Sequence, residues 1–135
     1  MAQAAGNNPG TLFRSLESRL TVGLQGTCRD VSDVAVIDLS GKITLGEGSS
    51  MIRRMIRELI EQGRLKILLN LEEVDYIDSA GIGEMVGAFT MVRGAKGELK
   101  LINLTKRVHD LLQITRLLTV FDVSNDEGEA VRSFK

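Results

Sequence analysis

The sequence has a single cysteine, a single proline and no tryptophan. Because Cys28 has no second cysteine to pair with, an internal disulfide and a cysteine-based zinc site are both excluded. With only one tyrosine and four phenylalanines, the core must consist mostly of Ile, Leu, Val and Met. No apolar run approaches the roughly 18–20 residues of a transmembrane helix, and the N-terminus lacks the pattern of a secretion signal. We therefore expect a cytoplasmic protein with no membrane insertion.

The chain also lacks an excess of charge of either sign. Its formal net charge is −1, with 26% charged and 43% hydrophobic residues among 135. Nucleic-acid-binding proteins usually carry a basic excess, so we expect no direct contact with nucleic acid. A chain of this length and composition is sufficient for one domain with a buried core.

The first residues differ in composition from the rest. Met1 to Thr11 are mostly Ala, Gln, Asn and Gly, with the only proline. Such a segment cannot bury enough apolar area to offset its ordering entropy. We predict a flexible N-terminal extension over residues 1–15 and one domain over residues 16–135.

Leu20, Val22 and Leu24 alternate with polar residues, and Val34, Val36 and Leu39 lie in a similar β-rich run, which predicts two strands. The segment 26–33 between them is rich in turn formers, so it is predicted to be a loop that contains Cys28. Gly41 is predicted to end the second strand. These two strands are expected to form an antiparallel hairpin or meander at one edge of a sheet.

The rest of the chain alternates helical and strand patterns. Residues 51–60 have helical periodicity, with Ser49 or Ser50 as the predicted N-cap and Gly63 as the C′ residue. Residues 65–71 are almost continuously apolar, which indicates a strand covered on both faces. Further helices are predicted at 82–92, after Thr105, and after Asn125 or Asp126; further strands are predicted at 99–102 and 120–123. This alternation predicts an α/β fold with a mostly parallel sheet.

The stretch from Asp75 to Gly83 is the polar turn between the apolar strand and the second helix. A helix that begins here favours negative charge at its N-terminus. Ser79 is therefore placed where its hydroxyl can either cap the helix or accept a phosphoryl group. The residues alone leave both alternatives open, because Asp78 and Ser79 are both ordinary N-cap residues.

Other chemistries fit this turn poorly. The glycine spacing after Gly81 and Gly83 does not match a dinucleotide-binding fingerprint, and a phosphate-binding Gly-Lys-Ser/Thr sequence is absent. Ile77 occupies the first glycine position of a hydrolase elbow, and the only histidine, His109, is predicted on a helix surface. The acidic residues Glu72, Glu73, Asp75 and Asp78 are expected to form a solvated acidic loop and not a metal site.

The run from Asn70 to Gly83 closely resembles the signature of STAS domains, and in particular that of bacterial anti-anti-sigma factors. Their pattern is an apolar strand, a short acidic link and D-S-[SAT]-G-[LI]-G, which corresponds here to residues 78–83. The resemblance extends over roughly residues 20–134 and includes the runs 97–104 and 108–123.

This resemblance implies a single α/β STAS domain. Its sheet would be mixed, mostly parallel and four- to five-stranded, with helices packed mainly on one side. The function implied is that of an anti-sigma factor antagonist, which is not an enzyme and needs no cofactor. An alternative within the family is a STAS subunit of a stressosome or of a lipid-transport assembly.

The resemblance also implies roles for individual residues. Ser79 aligns with the serine that an anti-sigma factor serine kinase phosphorylates and that a metal-dependent serine phosphatase resets. The unphosphorylated form captures the kinase and so releases a sigma factor. Asp78 would position the acceptor, and Gly81 would let the kinase backbone approach. The partner-binding residues would be Asp78, Ser79, Ala80, Gly81, Ile82 and Gly83.

Overall fold

Five strands and four helices follow one another in the computed structural model, which describes residues 24–44 and 47–134. The predicted extension over residues 1–15 and the apolar residues Leu20 and Val22 lie outside this described part. The elements are β1 (Leu24–Val31), β2 (Val34–Ile43), α1 (Glu47–Glu61), β3 (Lys66–Ile77), α2 (Ser79–Gly94), β4 (Glu98–Ile102), α3 (Lys106–Ile114), β5 (Asp122–Ser124) and α4 (Glu127–Ser133).

The strands form one sheet in the order β1-β2-β3-β4-β5. β1 pairs with β2 in antiparallel orientation, whereas the other three pairs are parallel. The predicted mixed, mostly parallel α/β fold with a hairpin at one edge is therefore confirmed. No helix in the described part of the chain is long and apolar enough to cross a membrane.

β3 lies at the centre of the sheet, and its first half is buried on both faces. Ile67, Leu69 and Leu71 belong to the larger apolar cluster, and Leu68 belongs to a smaller one on the opposite face. Helices α1, α2 and α3 contribute to the larger cluster, whereas α4 contributes Ala130 to the smaller one. The helices thus pack mainly on one side, as the resemblance implied.

The predicted helix ends are mostly confirmed. Gly63 has a φ of 79°, and the N–H of Arg64 donates to the carbonyl of Leu59 over 2.8 Å. This is the pattern of an α-helix that ends at a residue in the left-handed backbone conformation. Thr105 caps α3 and Asp126 caps α4 through their side-chain oxygens. The predicted cap at Ser49 or Ser50 is wrong, because α1 already begins at Glu47.

The loop predicted at residues 26–33 is largely a strand. β1 continues to Val31, which pairs with Val34, so that only Ser32 and Asp33 form the turn. As an edge strand, β1 packs one face on the core and exposes polar residues on the other, so its composition resembles that of a loop. Cys28 therefore lies within a strand, and β2 continues beyond Gly41 to Ile43.

The predicted acidic loop is also a strand. β3 runs to Ile77, and its second half pairs with the end of β2 after two register shifts, which place Ser40 opposite Glu73 and Lys42 opposite Tyr76. Its buried residues are then Leu71, Val74 and Ile77, with two exposed residues between each. The strand cannot be recognised from this spacing, because buried and exposed residues alternate one by one in a regular strand.

Helix α4 is held on its face of the sheet by polar contacts at both ends. At the N-terminus of α4, the Arg29 guanidinium donates from Nη1 to Oε2 of Glu127 over 2.9 Å. It also donates from Nε to Oδ2 of Asp38 on β2 over 2.6 Å. At the C-terminus of α4, the buried Lys100 ammonium donates to the Ser133 hydroxyl over 2.8 Å. Seven residues cannot form a stable helix alone, so these contacts and the burial of Ala130 hold it.

The Arg29 contacts also lower carboxyl pKa values. Partial burial would by itself raise the pKa of Asp38, but hydrogen bonds from Arg29 and Asn70 hold the pKa below its ordinary value. The hydrogen bonds from Arg29 likewise lower the pKa of Glu127. A carboxyl group with a lowered pKa stabilises the folded state at neutral pH, and this contribution is lost as the pH falls below about 4.

We therefore predict that Arg29→Met lowers the free energy of unfolding by about 1 kcal/mol at pH 7, because the ion pairs are partly exposed. The difference from wild type should shrink towards zero in acid, where both carboxyl groups are protonated. Urea unfolding at pH 7 and at the lowest pH that preserves the fold measures this. Arg54→Met is the control, since Arg54 is exposed and has no ion pair with a described residue. An undiminished difference in acid would contradict the assignment.

Candidate functional site

The candidate site is the junction between β3 and α2, beside the end of β2. Asp78 follows the last residue of β3, and its backbone N–H donates to the carbonyl of Ile43 over 3.3 Å. The junction is thus attached to the final residue of the neighbouring strand. All six residues of the predicted motif, 78–83, lie in this junction and the first turn of α2.

Asp78, and not Ser79, is the N-cap of α2. Its Oδ1 atom accepts a hydrogen bond from the N–H of Gly81 over 2.8 Å, and its carbonyl accepts from the N–H of Ile82 over 2.9 Å. The backbone of Asp78 is extended, as in most N-cap residues. Ser79 is therefore not the cap, and its role as a phosphate acceptor stays a prediction.

Ser79 is the first residue of the helix, and its side chain is exposed. Within the described part of the chain, its hydroxyl has no hydrogen-bond partner. The N–H groups of Ser79 and Ala80 are likewise free of partners among these residues, since they precede the first intrahelical bonds. An unpaired hydroxyl thus lies beside free N–H groups at the positive end of a helix dipole.

Gly81 is fixed by the packing of the chain itself. A Cβ atom at this position would lie 2.1 Å from the carbonyl oxygen of Ile43 and 2.9 Å from Cγ1 of Ile77. Gly83 differs, because a Cβ atom there would meet nothing within 4 Å. Packing within this chain therefore requires glycine at position 81, and the contact of Gly81 with a partner stays a prediction.

The six motif residues divide by exposure. Ser79 and Gly83 are exposed, Asp78 and Ala80 are partly buried, and Gly81 and Ile82 are buried. The structure brings them together as one helical turn. The exposed pair, four residues apart, lies on one side of α2, and the buried pair anchors that turn on the sheet.

Two sets of contacts beside this turn were not predicted from the sequence. Tyr76 is 36% exposed, and its ring centroid lies 6.0 Å from the Lys42 ammonium and 5.8 Å from the Arg107 guanidinium. Arg53 of α1 donates from Nε to Oε1 of Glu84 on α2 over 3.0 Å. These contacts join residues 31 to 34 positions apart, and no local pattern indicates such pairs.

The single histidine of the sequence is not part of this turn. His109 lies on α3, is exposed, and has its Nδ1 atom 3.6 Å from a carboxylate oxygen of its neighbour Asp110. The prediction of a surface histidine on a helix is confirmed.

Comparison with known proteins gives a consistent result. The family model described as the STAS domain matches residues 27–130. The anti-sigma-B factor antagonist of Bacillus subtilis is 36% identical over 88 residues, which is 65% of this chain and 79% of that protein.

Solved structures show the same fold. An anti-sigma factor antagonist of Thermotoga maritima, described as putative, superposes with a TM-score of 0.72 at 21% identity, over 81% of this chain and 93% of that one. The anti-sigma factor antagonist SpoIIAA of Bacillus is similar in its unphosphorylated form, with a TM-score of 0.66 at 26% identity over 78% and 92% of the chains. Its phosphorylated form gives a TM-score of 0.62 at 25% identity over 79% and 96%.

The packing at the start of α2 predicts opposite effects of alanine at two glycines. Gly81→Ala should lower the free energy of unfolding by about 3 kcal/mol or more, because the methyl group would overlap the Ile43 carbonyl. Gly83→Ala is the matched control; it should raise stability by up to about 1 kcal/mol, because alanine favours the helix and the space is open. Thermal or urea unfolding of both variants measures this, and equal effects would refute the packing explanation.

Proposed function

The chain belongs to the STAS domain family, and we propose that it is an anti-sigma factor antagonist controlled by phosphorylation of Ser79. In this proposal the unphosphorylated form binds an anti-sigma factor serine kinase, and a sigma factor is released. The observation that carries the proposal is the exposed, unpaired Ser79 hydroxyl at the start of α2. The chain acts as a substrate and a switch, and not as an enzyme.

The position of Ser79 suits a reversible phosphate. Phosphorylation adds a charge of roughly −1.5 to −2, which is favourable near a helix N-terminus. Because Asp78 already supplies the cap, a phosphate on Ser79 breaks no hydrogen bond described for this chain. The fold would be retained while the charge of the surface changes. Such a change disrupts the docking of a partner whose own surface is acidic or apolar.

The transfer itself needs only the serine from this chain. The Ser79 hydroxyl oxygen forms a bond to the γ-phosphorus of ATP while the bond to the β-phosphate oxygen breaks, so that ADP leaves. The hydroxyl proton passes to a base that the kinase supplies. A metal-dependent serine phosphatase would restore the hydroxyl by hydrolysis and release inorganic phosphate. Both steps belong to the cytoplasm, where the kinase has ATP.

The partner would contact the exposed part of the motif. Ser79 and Gly83 form its centre, with Asp78 and Ala80 at the border. Gly81 and Ile82 are buried, so they would act by holding this turn against the sheet. The relatives support this assignment of function, since the similar Bacillus subtilis protein and SpoIIAA are both named as anti-sigma factor antagonists.

We predict that a serine kinase of the histidine-kinase-like ATP-binding class from the same organism phosphorylates Ser79. Each such kinase is incubated with the protein and ATP, and the site is mapped by mass spectrometry. One phosphate on Ser79, absent in Ser79→Ala, is the expected result. If no kinase modifies the protein, or if the phosphate is on another residue, the proposal is wrong.

The switch also predicts the behaviour of two substitutions. Ser79→Asp should weaken binding to that kinase at least about tenfold because it places a negative charge at the contact, whereas Ser79→Ala should bind constitutively. Isothermal titration calorimetry measures the affinities, and circular dichroism checks that both variants keep the fold. Equal affinity of wild type and Ser79→Asp would argue against control by charge at this position.

A further inference from the structure

We infer that the flank of Ser79 formed by Arg53 and Arg57 receives a carboxylate-rich surface of the protein partner. This inference rests on the proposed function, because it concerns the same docking site. It adds α1 to the contact and specifies the chemistry of the surface that covers it.

Arg53 lies on the side of α1 next to the motif helix, where it contacts Glu84 of α2. Arg53 is placed by its ion pair with Glu84 of α2, although its side chain is still 46% exposed. Arg57 follows four residues later, one helical turn along the same side of α1. Its side chain is exposed, and it makes no ion pair or hydrogen bond with any residue in the described ranges. Arg57 is therefore available to a partner.

The adjacent surface of α2 allows a partner to reach these arginines. Ser79, Gly83, Gly87 and Thr90 recur at intervals of four, four and three residues, and all four are exposed. None of them carries a charge or is larger than threonine. The long arginine side chains of α1 can therefore extend beyond this side of α2 and meet a surface that docks on Ser79.

The charges of this flank connect it to the proposed switch. Arg53 and Arg57 provide two positive charges, and Glu84 provides one negative charge. The Asp78 carboxylate is engaged with the Gly81 N–H at the positive end of the helix dipole. With this carboxylate counted, the four side chains sum to a formal charge of zero, so adding roughly −1.5 to −2 at Ser79 makes this surface net negative.

An acidic partner surface is the one that this change controls most strongly. Before phosphorylation, the two arginines attract carboxylates and accelerate association. After phosphorylation, the same carboxylates face a phosphate, and close like charges are repelled. A basic partner surface would respond in the opposite direction and would bind more tightly after phosphorylation.

The test uses the kinase that phosphorylates Ser79 as the probe, with the full chain. Arg57→Glu should lower its association rate constant about tenfold at low ionic strength and reduce the salt dependence of that rate. Arg132→Glu is the matched control, since Arg132 is exposed on α4, on the opposite face of the sheet, and undergoes the same change of charge. This control should remain within about twofold of wild type, and Arg57→Lys should retain most of the wild-type rate.

Stopped-flow or surface plasmon resonance kinetics distinguish the outcomes, and circular dichroism confirms that each variant is folded. Unchanged binding of Arg57→Glu, or equal losses for Arg57→Glu and Arg132→Glu, would overturn the inference while leaving the proposed function intact. If Arg57→Glu fails to fold, Arg57→Ala replaces it, with a smaller loss expected. Failure of every candidate kinase to bind or phosphorylate the wild-type protein would overturn the proposed function, and this inference with it.

Discussion

The backbone of Gly81 packs directly against the carbonyl of Ile43, and the geometry of the site depends on this contact. It brings the first turn of α2 to the end of β2, where the Asp78 N–H also donates to the same carbonyl. A side chain at position 81 would push the helix away from the sheet. With the turn held there, Asp78 becomes the cap and Ser79 faces outward.

Ser79 combines exposure with a rigid position because the residues around it are buried or paired. Ile77 and Ile82 belong to the core, and the Asp78 carboxylate is engaged by the Gly81 N–H. The neighbouring helix α1 contacts α2 through the ion pair between Arg53 and Glu84. A modification of the hydroxyl can therefore change the surface charge while the packing below it stays the same. This favours a switch that acts through surface charge and does not refold the domain.

The sequence predicted the elements whose apolar pattern is complete within a short segment. The continuous run at residues 65–71, the helical pattern at 51–60 and the caps at Thr105 and Asp126 all depend on local chemistry, and the structure confirms them. Apart from the cap at Ser49 or Ser50, where α1 begins earlier at Glu47, the predictions that were wrong concern segments whose partners are distant. The segment 26–33 resembles a loop because only one of its faces is buried.

The second half of β3 resembles a loop for a related reason, because register shifts against β2 place its buried residues three apart. The choice of the helix cap likewise could not be predicted from local sequence. Asp78 and Ser79 are equally suitable caps by composition, and the choice between them depends on where α2 meets Ile43. The family resemblance points to Ser79 as the candidate phosphate acceptor, but only the packing explains why its hydroxyl is unpaired.

The central claim is that a phosphate on Ser79 changes the binding surface without changing the fold. The most direct measurement compares fully phosphorylated and unphosphorylated protein by nuclear magnetic resonance, with the kinase affinity determined for the same two samples. We expect amide shifts confined to the first turn of α2 and its neighbours, together with a large loss of affinity. Shifts spread through the core, or equal affinity of the two forms, would contradict the claim.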